Sequence, residues 1–110
     1  MNNTELNTFI REYLDARKLN KQGAIVFDPR TTEEHNRLVC EVCLWLKRNS
    51  ITYYTRVYTK LGEIVDIVAP ELPRPFIEVR VSEEEKKKEY CPEYTELRTY
   101  IDASDPFKLW

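Results

Sequence analysis

Glycine is almost missing from this chain: its 110 residues hold two glycines, one histidine, one methionine and three cysteines. So little glycine excludes a flexible linker or low-complexity tract, and turns must be made mainly by proline and asparagine. Three cysteines cannot all pair, which argues against a secreted disulfide scaffold and for a reducing, cytoplasmic (intracellular) setting. No apolar run approaches the roughly 18 residues of a membrane span, and no basic-then-apolar leader opens the sequence, so no membrane partner is expected. Nothing in the sequence calls for an organic cofactor.

What is present describes a globular, soluble domain. Hydrophobic residues make up 42% and charged residues 33%, which excludes a disordered tail. The length predicts one domain, 1–110. A net charge of −2 hides a split. Residues 1–60 carry ten Lys/Arg against seven Asp/Glu, whereas residues 61–110 carry seven against twelve. The basic front leaves nucleic acid open as a partner despite the acidic total.

Apolar spacing predicts a first helix from about Thr4 to Leu19, with Leu6, Phe9, Ile10, Tyr13 and Leu14 on one face. Ala24-Ile25-Val26-Phe27 reads as a short strand closed by Asp28-Pro29. A second helix opens with the capping box Thr31-Thr32-Glu33-Glu34. Its buried stripe is Leu38, Val39, Val42, Trp45 and Leu46. Two strands follow, 51–60 and 63–68, joined by a turn at Leu61-Gly62. The proline-rich stretch 69–75 turns the chain into a third strand, Phe76 to Val81. Ser82 with Glu85 caps a last helix that Pro92 interrupts, with Tyr90, Tyr94, Leu97 and Ile101 continuing an apolar face. Phe107 to Trp110 is a candidate final strand. The order predicts an α/β (α+β) fold around a mixed sheet.

The strands carry two unexpected acids. With period-two alternation, Ile64, Asp66 and Val68 share a face, as do Phe76, Glu78 and Arg80. If the 69–75 turn is symmetric about Leu72, Asp66 faces Glu78 with Cβ atoms about 5 Å apart. Two carboxylates that close repel one another unless a cation sits between them, and hard oxygens suit Mg²⁺. Glu34 heads the helical stripe 34, 38, 42, 45, where a carboxylate caps the helix, reaches toward the metal, or does both.

The stretch Glu34 to Ser82 resembles the PD-(D/E)XK nuclease superfamily, with its restriction-endonuclease-like fold. The resemblance rests on Glu34-His35 opening a helix, then Gly62-Glu63-Ile64-Val65-Asp66-Ile67-Val68, then Pro75-Phe76-Ile77-Glu78-Val79-Arg80-Val81-Ser82. It implies an αβββαβ core in about 31–110, preceded by an extra N-terminal helix. It further implies Mg²⁺ or Mn²⁺ held by Asp66, Glu78, the Val79 backbone carbonyl and Glu34, and hydrolysis of DNA phosphodiester bonds. Arg80 stands where the family has lysine. A guanidinium cannot accept a proton but can grip a phosphate at two points. That departure leaves a catalytically inactive nuclease-fold module, for DNA binding or protein assembly, as the alternative. A third reading is an interaction protein whose strand acids form surface salt bridges.

Arg11, Arg17, Lys18, Lys21, Arg56 and Lys60 are the candidate DNA-backbone contacts. A chain this small needs a second copy to embrace a duplex, so a homodimer is expected. The remaining features read as structural. Cys40 and Cys43 are small hydrophobes rather than half of a zinc site with Cys91 and His35. His35 is a surface or packing residue, Lys86-Lys87-Lys88 a solvated helix face, and Tyr53, Tyr54 and Tyr58 packing residues.

Overall fold

The computed structural model describes residues 1–103. Asn2 caps α1 (Asn3–Tyr13) through a reciprocal box with Glu5. The helix stops six residues short of the expected Leu19. Leu14 turns extended, becomes almost fully buried and bridges Thr59, while Asp15 N–H and Lys60 N–H close bonds between this segment and the hairpin that turns at Leu61-Gly62.

Ala24–Phe27 does not join the sheet as a strand. A side chain takes the place of a ladder there. The Thr55 hydroxyl accepts from Val26 N–H at 2.8 Å and donates to the Ala24 carbonyl at 2.8 Å.

The second helix, α2 (Glu33–Arg48), takes Thr32 of the expected Thr31-Thr32 pair as its cap. Thr31 is engaged by the Asp28-Pro29 turn, its hydroxyl donating to Asp28 O at 2.9 Å. Thr32 is therefore the cap, accepting from His35 N–H at 3.1 Å. The buried face differs from the expected stripe headed by Glu34. His35, Val39, Val42, Cys43 and Leu46 point inward, and Glu34 is exposed.

Strands β1 (Tyr54–Tyr58), β2 (Ile64–Val68) and β3 (Phe76–Arg80) run antiparallel, and β4 (Arg98–Asp102) lies parallel to β3, in the order β1-β2-β3-β4. The mixed α+β class is as expected. The turn is symmetric about Leu72 as supposed, since Ile67 faces Ile77 and Val68 faces Phe76.

The last helix is a correction. Only α3 (Glu83–Lys86) is α-helical; Pro92–Leu97 is a 3₁₀ stretch and 98–102 is a strand. Tyr94, Leu97 and Ile101 have helical spacing, but Thr99, Tyr100 and Ile101 favour a pleated edge, and a parallel partner for β3 needs this crossover. The expected strand at 107–110 lies outside the described residues. No helix among the described residues is long and apolar enough to cross a membrane.

Each face of the sheet carries its own core. Val39, Val42, Cys43 and Leu46 of α2 meet Ile67, Ile77, Val79 and Ile101 on one side. Phe9, Ile10 and Tyr13 of α1 pack with Leu14, Val57, Val65, Val68, Phe76 and Tyr94 on the other. Tyr53 and Tyr54 are buried, and burial pushes the Cys43 thiol up to about 12, as packing roles require. Val65 and Val68, three apart, lie in the same core while Ile67 lies in the opposite one. The expected alternation thus slips by one residue at Asp66. On β1 the residue between the paired positions Thr55–Ile67 and Val57–Val65 is Arg56, which adopts φ +47°. That left-handed conformation costs a non-glycine residue about 1–2 kcal/mol.

Candidate active site

The slip in β2 opens the ladder where the two acids meet. Beyond Ile67–Ile77, carboxylates replace carbonyls as backbone acceptors. Asp66 N–H donates to Glu78 Oε1 at 3.1 Å, and Val79 N–H donates to Asp66 Oδ2 at 2.8 Å. Each acid thus holds the neighbouring strand, and the pair sits midway along β2 and β3, with Glu78 opposite Tyr100 at the middle of β4.

Their remaining oxygens are balanced by two different cations. Asp66 Oδ1 lies 3.3 Å from His35 Nε2. Nδ1 of the same ring is 2.7 Å from Glu85 Oε2, an ion-pair contact. Glu85 is placed by its other oxygen, which accepts from Val81 N–H at 2.8 Å. Burial works against the imidazolium, but Asp66 and Glu85 outweigh it and raise the His35 pKa.

Glu78 is only 2% exposed and pairs through Oε2 with Arg98 Nη1. Arg98 is itself buried at the head of β4. Its Nη2 pairs with Glu63, its Cζ lies 4.6 Å from the centre of the Tyr90 ring, and Glu63 also accepts Cys91 N–H at 2.8 Å. Burial, then the charge of Asp66, push the Glu78 carboxyl up to about 8 against the opposing pull of the Asp66 amide and Arg98.

A recess of about 130 Å³ opens over Asp66, lined among others by His35, Glu85, Arg30, Lys88 and Tyr90. A smaller one, about 30 Å³, adjoins it and includes Arg56, whose Nε is buried without a hydrogen-bond partner.

The structure therefore unites Asp66, Glu78 and Val79, and brings Arg56 to the edge of the site. It separates two of the expected residues. Glu34 lies on the exposed side of α2, one residue from the one that faces the acids. Arg80 is tied to Asp102 by the Nε–Nη2 edge of its guanidinium, at 2.6 and 2.9 Å, and stacks 4.1 Å from the Tyr100 ring centre. Its charge is already matched.

Among the backbone-contact candidates, Arg11, Arg17 and Lys60 line one cleft of about 610 Å³ between α1 and the β1–β2 turn, over Ile10 and Leu14. Lys18 sits 4.8 Å over the Tyr58 ring, and Lys21 is exposed in the following turn. His35, Glu63, Glu85, Lys88, Tyr90 and Arg98 were not among the expected site residues. For His35 and Glu85 there was a signal: the chain's single histidine beside the helical acid, and an acid in a capping box.

Two carboxylates and a main-chain carbonyl are hard oxygen donors, and Mg²⁺ is commonly held by one or two carboxylates completed by water and substrate phosphate. The donor chemistry fits such an ion. Among the described residues there is no cluster of three or more His, Cys, Asp or Glu arranged to hold a metal by themselves. Comparison of the chain with protein-family models, curated proteins and solved structures finds no significant match.

Proposed function

We propose that the protein is a metal-dependent DNA endonuclease of PD-(D/E)XK type, hydrolysing phosphodiester bonds at the Asp66–Glu78 centre. The observation that carries this reading is the meeting of two carboxylates at one point of adjacent strands, each bonded to the other strand's amide. A sheet of order β1-β2-β3-β4, antiparallel except for β4, between α1 and α2 supports the restriction-endonuclease-like likeness.

Asp66, Glu78 and the Val79 carbonyl would hold Mg²⁺ or Mn²⁺, which when bound supplies hydroxide from water and offsets charge on the scissile phosphate. His35 fixes the orientation of Asp66, and Glu85 fixes His35, as an outer shell does around a metal ligand. Lys88 would be the cation of the recess that faces a phosphate, since Arg30 is paired with Asp28 and Arg80 with Asp102. Arg11, Arg17 and Lys60 form a separate cationic patch at the hairpin end, suited to the sugar–phosphate backbone. A second copy of the chain would extend this surface along a duplex, and the unpaired cysteines Cys40, Cys43 and Cys91 accord with an intracellular setting.

The decisive experiment is incubation of plasmid and branched DNA with purified protein and Mn²⁺. Cleavage that disappears in Asp66→Asn and Glu78→Gln, with folding retained, supports the assignment; absence of both cleavage and metal binding in the wild type removes it. The Arg80–Asp102 pair favours one second reading, a nuclease fold used for DNA binding alone. That reading calls for salt-sensitive binding which survives both substitutions.

A further inference from the structure

The Glu78 carboxylate already has a cation. Arg98 reaches it from the neighbouring edge strand β4, and the guanidinium is held at three points. Glu78 and Glu63 take its two terminal nitrogens, and the Tyr90 ring covers its face. The side chain is 1% exposed, so water screens neither the attraction to Glu78 nor the repulsion of any second cation brought there. Asp66 is different: its side chain is 27% exposed and opens on the recess, and its counter-charge is a histidine.

We propose that Arg98 is a built-in competitor for the divalent cation. Its guanidinium keeps Glu78 in a charge-balanced, non-ligating state, so that metal binds only as the Glu78–Arg98 pair opens. The proposal rests on the nuclease reading for the identity of the metal centre, and concerns what limits its occupancy. The pair's burial and the second anchor at Glu63 make the opening costly, so wild-type affinity for Mn²⁺ is weak in the absence of DNA. A substrate phosphate bound in the recess adds an oxygen ligand, and thereby shifts the balance from arginine to metal.

Arg98→Gln removes the competing charge and leaves Glu63 and Glu78 short of a cation. Mn²⁺ titrated by calorimetry should bind this variant at least tenfold more tightly than wild type, and should raise its melting temperature by more than it raises that of the wild type. Equal affinities in wild type and a folded Arg98→Gln overturn the role of Arg98 while leaving the nuclease reading in place. Binding in neither protein overturns both.

Should Arg98→Gln fail to fold even with Mn²⁺, the wild type decides. The Arg98 Nε–H resonance followed during Mg²⁺ titration should shift as the pair opens, and an unmoved resonance at saturation overturns the proposal. Glu78→Gln provides the control, because it should lose metal binding whatever occupies position 98.

Discussion

Asp66 and Glu78 occupy facing positions on neighbouring strands, yet their surroundings divide the site into two halves. The Glu78 half is closed, with a permanently charged partner, a second acid and an aromatic cover. The Asp66 half is open, with a titratable partner and a recess above it. One carboxylate is embedded in the architecture and the other meets the solvent. The difference separates stability from chemistry: a residue can be indispensable to the proposed reaction in either half, but only one half should unfold the protein when disturbed.

The sharpest way to break this contrast is to remove single charges. Arg98→Gln or Glu78→Ala strands a buried charge and is expected to cost about 3–5 kcal/mol in urea unfolding. Asp66→Asn loses charge-assisted bonds at a partly exposed position, and about 1–2 kcal/mol is expected from it. The same substitution should abolish cleavage. Equal stability losses in the two halves would erase the distinction drawn here.

A smaller effect concerns pH. His35 binds a proton more tightly in the folded chain than in the unfolded one. Its stabilising contribution is complete below 6.5 and fades as pH rises through the elevated folded value. Urea midpoints should therefore fall as pH rises above 6.5, and His35→Gln should flatten that fall. Midpoints that rise over this range would contradict the assignment.

Least in energy are the surface cations. Arg11→Gln and Arg17→Gln should leave unfolding unchanged within about 0.5 kcal/mol. Each should lower the slope of log affinity against log salt by about 1 in DNA binding, measured by fluorescence anisotropy. Unaltered slopes would detach the α1 cleft from the nucleic-acid interface.

The legible parts of the site were those fixed by short-range geometry. The register of β2 and β3 followed from a proline-rich turn centred on Leu72, and with it the meeting of Asp66 and Glu78. Glu34 was misplaced because consecutive residues stand roughly 100° apart around a helix, so a stripe headed by residue 34 and one headed by residue 35 are different faces. Thr31 and Thr32 look equivalent in sequence, and only the engagement of Thr31 with Asp28 separates them. Arg98 was invisible for a different reason. It reaches the acids through β4, and the residues around it carried a helical spacing that the crossover overrode. The slip at Asp66 has no local signature either: it requires Arg56 on the partner strand to adopt a conformation that its side chain disfavours.

The exchange of carboxylates for carbonyls between β2 and β3 has a spectroscopic consequence. The amides of Asp66 and Val79 are bonded to side chains, not to a ladder, so their hydrogen–deuterium exchange reports whether the two acids are seated. A ligand that draws either oxygen away uncovers one amide and leaves those of Ile67 and Ile77 protected. The site thus carries its own pair of isotopic reporters, readable without any assay of turnover.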